Sequence, residues 1–141
     1  MIRFVSISSF RSALGELIKV KNRVYSNVPN EICKAFQGVS IEQIRANRDM
    51  ILMDSDSITI KLRLPDKRQR LSKADGYRLI YMVLKSIPVV VFLTVYPKRG
   101  PKQKLNVEEL ELQRLVNEFT YESLTRQLVV HDIEDTLKQS L

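Results

Sequence analysis

Hydrophobic and polar residues change their period along the chain, and each change predicts an element. Arg3 to Ile7 alternates well enough for a short first strand. Behind it Phe10, Ala13, Leu14, Leu17 and Ile18 recur at helical spacing after Ser9, a good N-cap, which predicts an amphipathic helix to about Lys21. A second helix is expected at the turn Asn27-Val-Pro-Asn30. Pro29 suits its first turn, Ile32, Ala35 and Phe36 share a face, and Gly38 sits just past the end. Ser40 and Gln43 have the spacing of a capping box and predict a short third helix to about Asn47.

From Ile51 onward the period changes. Ile58, Ile60, Leu62 and Leu64 alternate with Thr59, Lys61 and Arg63, so one face of this strand is apolar and the other presents cations. Tyr77 to Lys85 and Val89 to Tyr96 are apolar on both faces for most of their length, as central strands are, and Ser86-Ile-Pro88 joins them as a hairpin. The polar loops 65–76 and 97–104 border the same sheet. Asn106 as N-cap predicts a helix over 107–119, with Glu108, Glu109 and Glu111 where the helix dipole favours acids. Beyond it, 128–130 is a candidate strand and 133–141 a candidate short helix. The order predicts a small α+β domain: N-terminal strand and helices on one face of a curved, mainly antiparallel sheet, a C-terminal helix, and cations on the other face. The domain is expected to span 1–119, with 120–141 as a C-terminal extension.

Composition limits what such a domain can be. At 141 residues, 44% hydrophobic and 28% charged, the chain suits one globular unit with a real core. The longest apolar run, Ile87 to Val95, is too short to cross a bilayer, and Met1-Ile-Arg-Phe lacks a secretory apolar region, so a cytoplasmic protein with no membrane partner is expected. Cys33 is the only cysteine, which excludes an internal disulfide. The net charge of +7 is concentrated: residues 61–104 hold twelve Lys/Arg against two Asp/Glu, whereas 1–60 carry a net +2 and 105–141 a net −5. A short charge run is usually a solvated face. A run of this length over the strand-rich part predicts one basic surface, favouring phosphate backbones and salt-dependent binding.

Catalytic equipment of the usual kinds is missing. The one histidine, His131, reads as an exposed polar residue, Asp54 and Asp56 as turn residues, and no His/Cys/carboxylate set has metal-ligand spacing; neither metal nor cofactor is expected. What remains is Lys, Arg and Tyr. Cleavage of RNA by its own 2′-hydroxyl suits that set, because the nucleophile belongs to the substrate. The protein need only assist proton transfer and stabilise the crowded phosphate. Arginine can hold two phosphate oxygens, and a lysine among other cations has a depressed pKa. The same basic sheet is equally compatible with passive binding of nucleic acid.

Ile60-Lys-Leu-Arg63, then Gly76-Tyr-Arg-Leu-Ile-Tyr81, then Val89-Val-Val-Phe-Leu-Thr-Val95 ending in Tyr96-Pro-Lys-Arg99 resemble the central block of the RelE/ParE superfamily of bacterial toxins. Ser72-Lys-Ala-Asp-Gly76 resembles the Gly-Lys-Ser-Gly-Gly stretch of its HigB-like branch, and Tyr96-Pro-Lys98 also fits that branch. The likeness covers roughly residues 57–119 and lies in the order and spacing of the blocks. It implies a RelE-like domain and the toxin of a type II toxin–antitoxin system. Such a toxin is a ribosome-dependent, metal-independent endoribonuclease that cuts mRNA and inhibits translation until a cognate antitoxin binds it in a hetero-oligomer. By motif, Lys61 and Arg63 would contact or activate the cleaved phosphate and Arg78 would stabilise it. Lys98 or Arg99 matches the cation after the last strand, and Lys73 the lysine of the glycine-rich stretch. Lys61, Arg63, Lys73, Arg78 and Lys98 are thus the expected catalytic set, with Arg68, Arg70, Tyr96, Arg99, Lys102 and Lys104 as RNA-binding residues.

The chain also departs from the family. No tyrosine follows the last cation closely, Asp75 replaces a small residue, and 120–141 has no counterpart in the minimal family. Two alternatives stay open: a ParE-like toxin that poisons gyrase, against which the cations on the sheet argue, and a non-catalytic RNA-binding protein derived from a toxin. The acidic helix and tail are expected to contact the antitoxin or a second copy.

Overall fold

The computed structural model describes residues 1–133. The alternating segment and the two apolar segments become β3 (Ser57–Leu64), β4 (Tyr77–Leu84) and β5 (Val89–Pro97), three antiparallel neighbours in a six-stranded sheet. β2 (Met50–Met53) adds outside β3, β1 (Arg3–Ser6) lies parallel to β5, and β6 (Val129–His131) pairs antiparallel with β1. The sheet order is therefore β2-β3-β4-β5-β1-β6. The class is α+β, as the sequence predicts, with a mostly antiparallel sheet. The short helix expected over 133–141 falls essentially on residues outside those described.

α1 (Ser8–Ile18) and α2 (Val28–Phe36) pack on one face of the sheet. The centre of that layer is aromatic. Phe10 stacks on Phe92 at 5.1 Å between centroids, and Phe36 meets Phe4 edge-on at 5.4 Å and Tyr81 at 5.2 Å. Buried aromatic pairs of this geometry contribute about 0.5–1.5 kcal/mol each beyond their area. α3 (Ile41–Arg45) begins with the reciprocal capping box: Gln43 N–H donates to Ser40 Oγ at 3.1 Å, and Ser40 N–H to Gln43 Oε1 at 2.8 Å.

Three boundaries differ from the sequence expectation, each for a non-local reason. α1 starts at Ser8, not after Ser9, because acids from far along the chain receive its first donors. Ser8 N–H donates to both Glu122 carboxylate oxygens at 3.0 and 3.1 Å, and Ser9 N–H to Glu118 Oε2 at 2.8 Å. These acids lie on α4 (Glu109–Leu124), which starts three residues after Asn106 and runs past the boundary expected at 119. Asn106 does not cap it; its side-chain oxygen receives Lys61 Nζ at 3.3 Å. His131 is buried rather than exposed, with Nε2 2.7 Å from Ser6 Oγ.

The placement of α4 corrects the expected layering. Met82 and Val5 both sit opposite Val91 and so share the sheet face that carries Thr59 and Lys61. Phe119 of α4 lines clefts with both Met82 and Val5. Helices therefore cover both faces, not one. The reason is the double-sided apolarity of β4 and β5: Ile80, Met82 and Val91 point away from α1 and α2 and need a cover, which Leu112, Leu115 and Phe119 supply. Lys61, Arg63 and Arg78 lie on this second face as well.

Candidate nucleic-acid interface

Strand register brings the motif cations together. Arg63 sits opposite Arg78 across β3 and β4, Arg78 opposite Tyr96 across β4 and β5, and Lys61 one pleat from Arg63. Lys98 follows directly after β5. Its ammonium pKa is lowered, first by partial burial and then by the positive charges of Arg78, Lys61, Arg63 and Arg99, which are all close enough to act on it. Four of the five expected catalytic residues thus share one corner of the sheet.

The loop 65–76 that leads into this corner is tightly folded. Asp66 and Leu71 exchange backbone hydrogen bonds at 2.8 and 3.0 Å. Asp66, though 1% exposed, is satisfied by Gln69, whose backbone N–H reaches Oδ1 at 3.2 Å and whose side-chain amide reaches Oδ2. Gly76 closes the loop against β3. A Cβ there would stand 2.1 Å from the Leu64 carbonyl oxygen, so no other residue fits without moving backbone.

Arg78 anchors the same loop from inside. Its side chain is 7% exposed, and Nη1 donates to the carbonyls of Lys73 at 2.9 Å and Tyr77 at 3.2 Å, Nη2 to that of Ala74 at 2.8 Å. Burial, followed by the nearby Arg63 charge, lowers its pKa. A charge opening a buried strand needs partners, and here the partners are neutral carbonyls. Arg78 therefore positions the loop, and three of its five N–H groups are committed to doing so.

The remaining cations divide by what holds them. Lys61 is held by the Asn106 side-chain oxygen and Lys98 by the Leu105 carbonyl, neutral acceptors that leave the positive charge uncancelled. Arg99 pairs with Asp75 at 2.7 Å, and Lys104 with Glu111 at 2.8 Å while lying 5.9 Å over the Tyr96 ring. Tyr96 is buried, 5% exposed, beneath that lysine; its hydroxyl has no hydrogen-bond partner among the described residues, and burial raises its pKa. A base could stack on this ring only if Lys104 moved aside.

The outer loop residues are spread more widely. Tyr25 pins the 97–104 loop, donating to the Arg99 carbonyl at 2.8 Å and accepting the Lys102 N–H at 3.1 Å. Lys102 is exposed at that loop's surface. Arg68 reaches the Asn22 carbonyl at 3.2 Å, at the turn between α1 and α2, while Arg70 is exposed in a left-handed backbone conformation at φ 58°. Lys73 is exposed beside Arg63 at the edge of β3. Asn106 and Leu105 are the contributors that sequence reading missed, because a polar residue ahead of an acidic helix reads first as a cap. Among the described residues, no group of His, Cys, Asp or Glu is placed to hold a metal ion, and no helix is long and apolar enough to cross a membrane.

Comparison of the chain with protein-family models, with curated proteins and with solved structures gives no match.

Proposed function

We propose that the chain is a RelE-like toxin of a type II toxin–antitoxin system, cutting ribosome-bound mRNA through the RNA 2′-hydroxyl until a cognate antitoxin neutralises it. The observation that carries this reading is the corner where Lys61, Arg78 and Lys98 are oriented by neutral oxygens rather than by carboxylates. Cations held in this way keep a net field for the negative charge that develops on a phosphate being attacked. Arg63, exposed and opposite Arg78, would supply the bidentate contact to that phosphate. Lys98 carries a lowered pKa and so exchanges a proton more readily than a free lysine, which suits a general acid or base. Arg78 would act by holding the loop and adding charge, not by leaving its carbonyls.

One observation favours passive RNA binding instead. With Arg78 committed to carbonyls and Tyr96 buried, two groups of the expected chemistry are not free. Induced expression, with growth measured and mRNA ends mapped on isolated ribosomes, separates the readings. The wild type is expected to arrest growth and to generate new mRNA ends, and Lys61→Ala and Lys98→Ala to abolish both while staying folded. Binding of RNA without new ends supports the passive reading. Inhibition of purified gyrase with intact mRNA supports the ParE-like one.

A further inference from the structure

β2 pairs with β3 only as far as Ile60, with one further bond from Lys61 N–H to the Asp49 carbonyl, so Leu62 to Leu64 form an open edge. Along that edge runs a groove of about 260 Å³, walled by β3, by α2 and by the 65–76 loop. Four cations line it: Lys34 from α2, Arg63 from β3, and Lys67 and Lys73 from the loop. All four side chains are exposed, and none makes a hydrogen bond or ion pair with a group of the described residues. The sheet cations differ, since Lys61, Arg78, Lys98, Arg99 and Lys104 each hold a protein acceptor. The groove's one carboxylate, Glu31, is 4% exposed and already receives Asn27 Nδ2 at 3.2 Å and the Lys67 N–H at 2.9 Å. Unbalanced positive charge therefore sits in a concave, solvent-open channel. Among the described residues no aromatic ring lines it, so the groove offers cations for phosphates and no ring on which a base could stack.

Arg63 belongs to both places: it faces Arg78 across the sheet and lines the groove. A single polyanion on the sheet corner would pass over it into the channel. We propose that this groove is a second phosphate-binding subsite, in which Lys34, Lys67 and Lys73 hold the sugar-phosphate backbone of the RNA flanking the phosphate bound at the sheet corner. The inference rests on the RNA reading above and adds to it a sequence-independent track. Lys34 lies in the near-neutral first part of the chain, where charge clustering does not reveal it.

The test uses the full chain and a 2′-O-methyl single-stranded RNA, which cannot be cleaved, with binding followed by fluorescence anisotropy from about 50 to 200 mM salt. The double variant Lys34→Gln/Lys67→Gln alters only exposed side chains outside the sheet corner. For single strands each phosphate contact contributes about 0.7 to the slope of log K against log salt, so losing two contacts should flatten the slope by about 1.4. Wild type should also bind a long oligonucleotide more tightly than a trinucleotide, and the variant should lose that preference. An unchanged slope and length preference in the variant, with wild type still binding RNA, overturns the groove assignment alone. No RNA binding by wild type overturns it together with the RNA reading. Polyglutamate that displaces the RNA and loses affinity in the double variant would make the groove an acidic-peptide site, overturning the RNA assignment.

Discussion

Replacing Arg78 by Met tests whether this arginine holds the fold or serves the reaction. Methionine keeps the apolar stem and removes a guanidinium that bonds the carbonyls of Lys73, Ala74 and Tyr77. Hydrogen bonds to a charged group contribute about 1.5–3 kcal/mol each, and water can reach the exposed residues 73 and 74, so the lower end applies. Three bonds give about 4–5 kcal/mol. Against this stands the relief of burying a cation beside Arg63, which its lowered pKa registers. The net expectation is a loss of about 2–4 kcal/mol, a large part of the 5–15 kcal/mol typical of a domain. Urea unfolding followed by circular dichroism, with an unchanged m-value, measures it. Arg78→Lys should recover little, because one ammonium cannot span three carbonyls arranged for a planar fork. A stability within about 0.5 kcal/mol of wild type for Arg78→Met would refute the loop-anchor assignment. If the loss is found, reduced activity of any Arg78 variant reports folding as well as chemistry, and Lys61 and Lys98 become the cleaner probes.

Three further outcomes are expected. Burial, with the Arg11 charge adding to it, pushes the His131 pKa down to about 4 from an ordinary 6.5, so the unfolded chain takes up its proton first as pH falls. That contribution is complete above about pH 6.5 and declines toward pH 4, by about 3 kcal/mol in all; His131→Asn should flatten the pH dependence of the urea midpoint across that window, and equal slopes in both proteins would count against the assignment. Gly76→Ala should destabilise by about 3 kcal/mol or prevent folding, since its Cβ would lie 2.1 Å from the Leu64 oxygen, whereas Gly15→Ala in α1, with open space around it, should gain about 0.5–1 kcal/mol; thermal melts compare them. Glu122→Gln keeps the shape but removes a charge at the start of α1, and should cost about 1–2 kcal/mol and speed hydrogen exchange at Ser8; unchanged exchange there would show that the charge contributes nothing.

The elements that sequence alone makes legible are those whose cause is local. The alternation over 58–64, the apolar pair expected over 77–85 and 89–96, and the capping box at Ser40 each carry their own period or cap, and each strand is found within a residue of its expected bounds. β2 was illegible because Met50-Ile-Leu-Met53 has no alternation; it is an edge strand with a register shift, and three of its four apolar residues are exposed. The start of α1 and the length of α4 were hidden for a different reason. Both depend on Glu118 and Glu122 reaching donors more than 100 residues away, and no window along the chain holds that information.

The candidate site divides in the same way. Its cations could be counted, but their state of pairing could not, and pairing decides what they can do. Arg99 and Lys104 lie in the same 97–104 loop as Lys98, yet Asp75 and Glu111 cancel much of their field, while an amide oxygen and a backbone carbonyl leave Lys61 and Lys98 charged and aimed. A dipole orients a cation without neutralising it, so more attraction is left for a phosphate at Lys61 and Lys98 than at the two paired cations. On the proposed RNA reading, the sheet corner and the β3-edge groove would form the working surface, and the Arg99–Asp75 and Lys104–Glu111 pairs would brace its rim. Substituting Lys61 should therefore weaken RNA binding more than substituting Arg99, although both lie in the same net +10 stretch of chain.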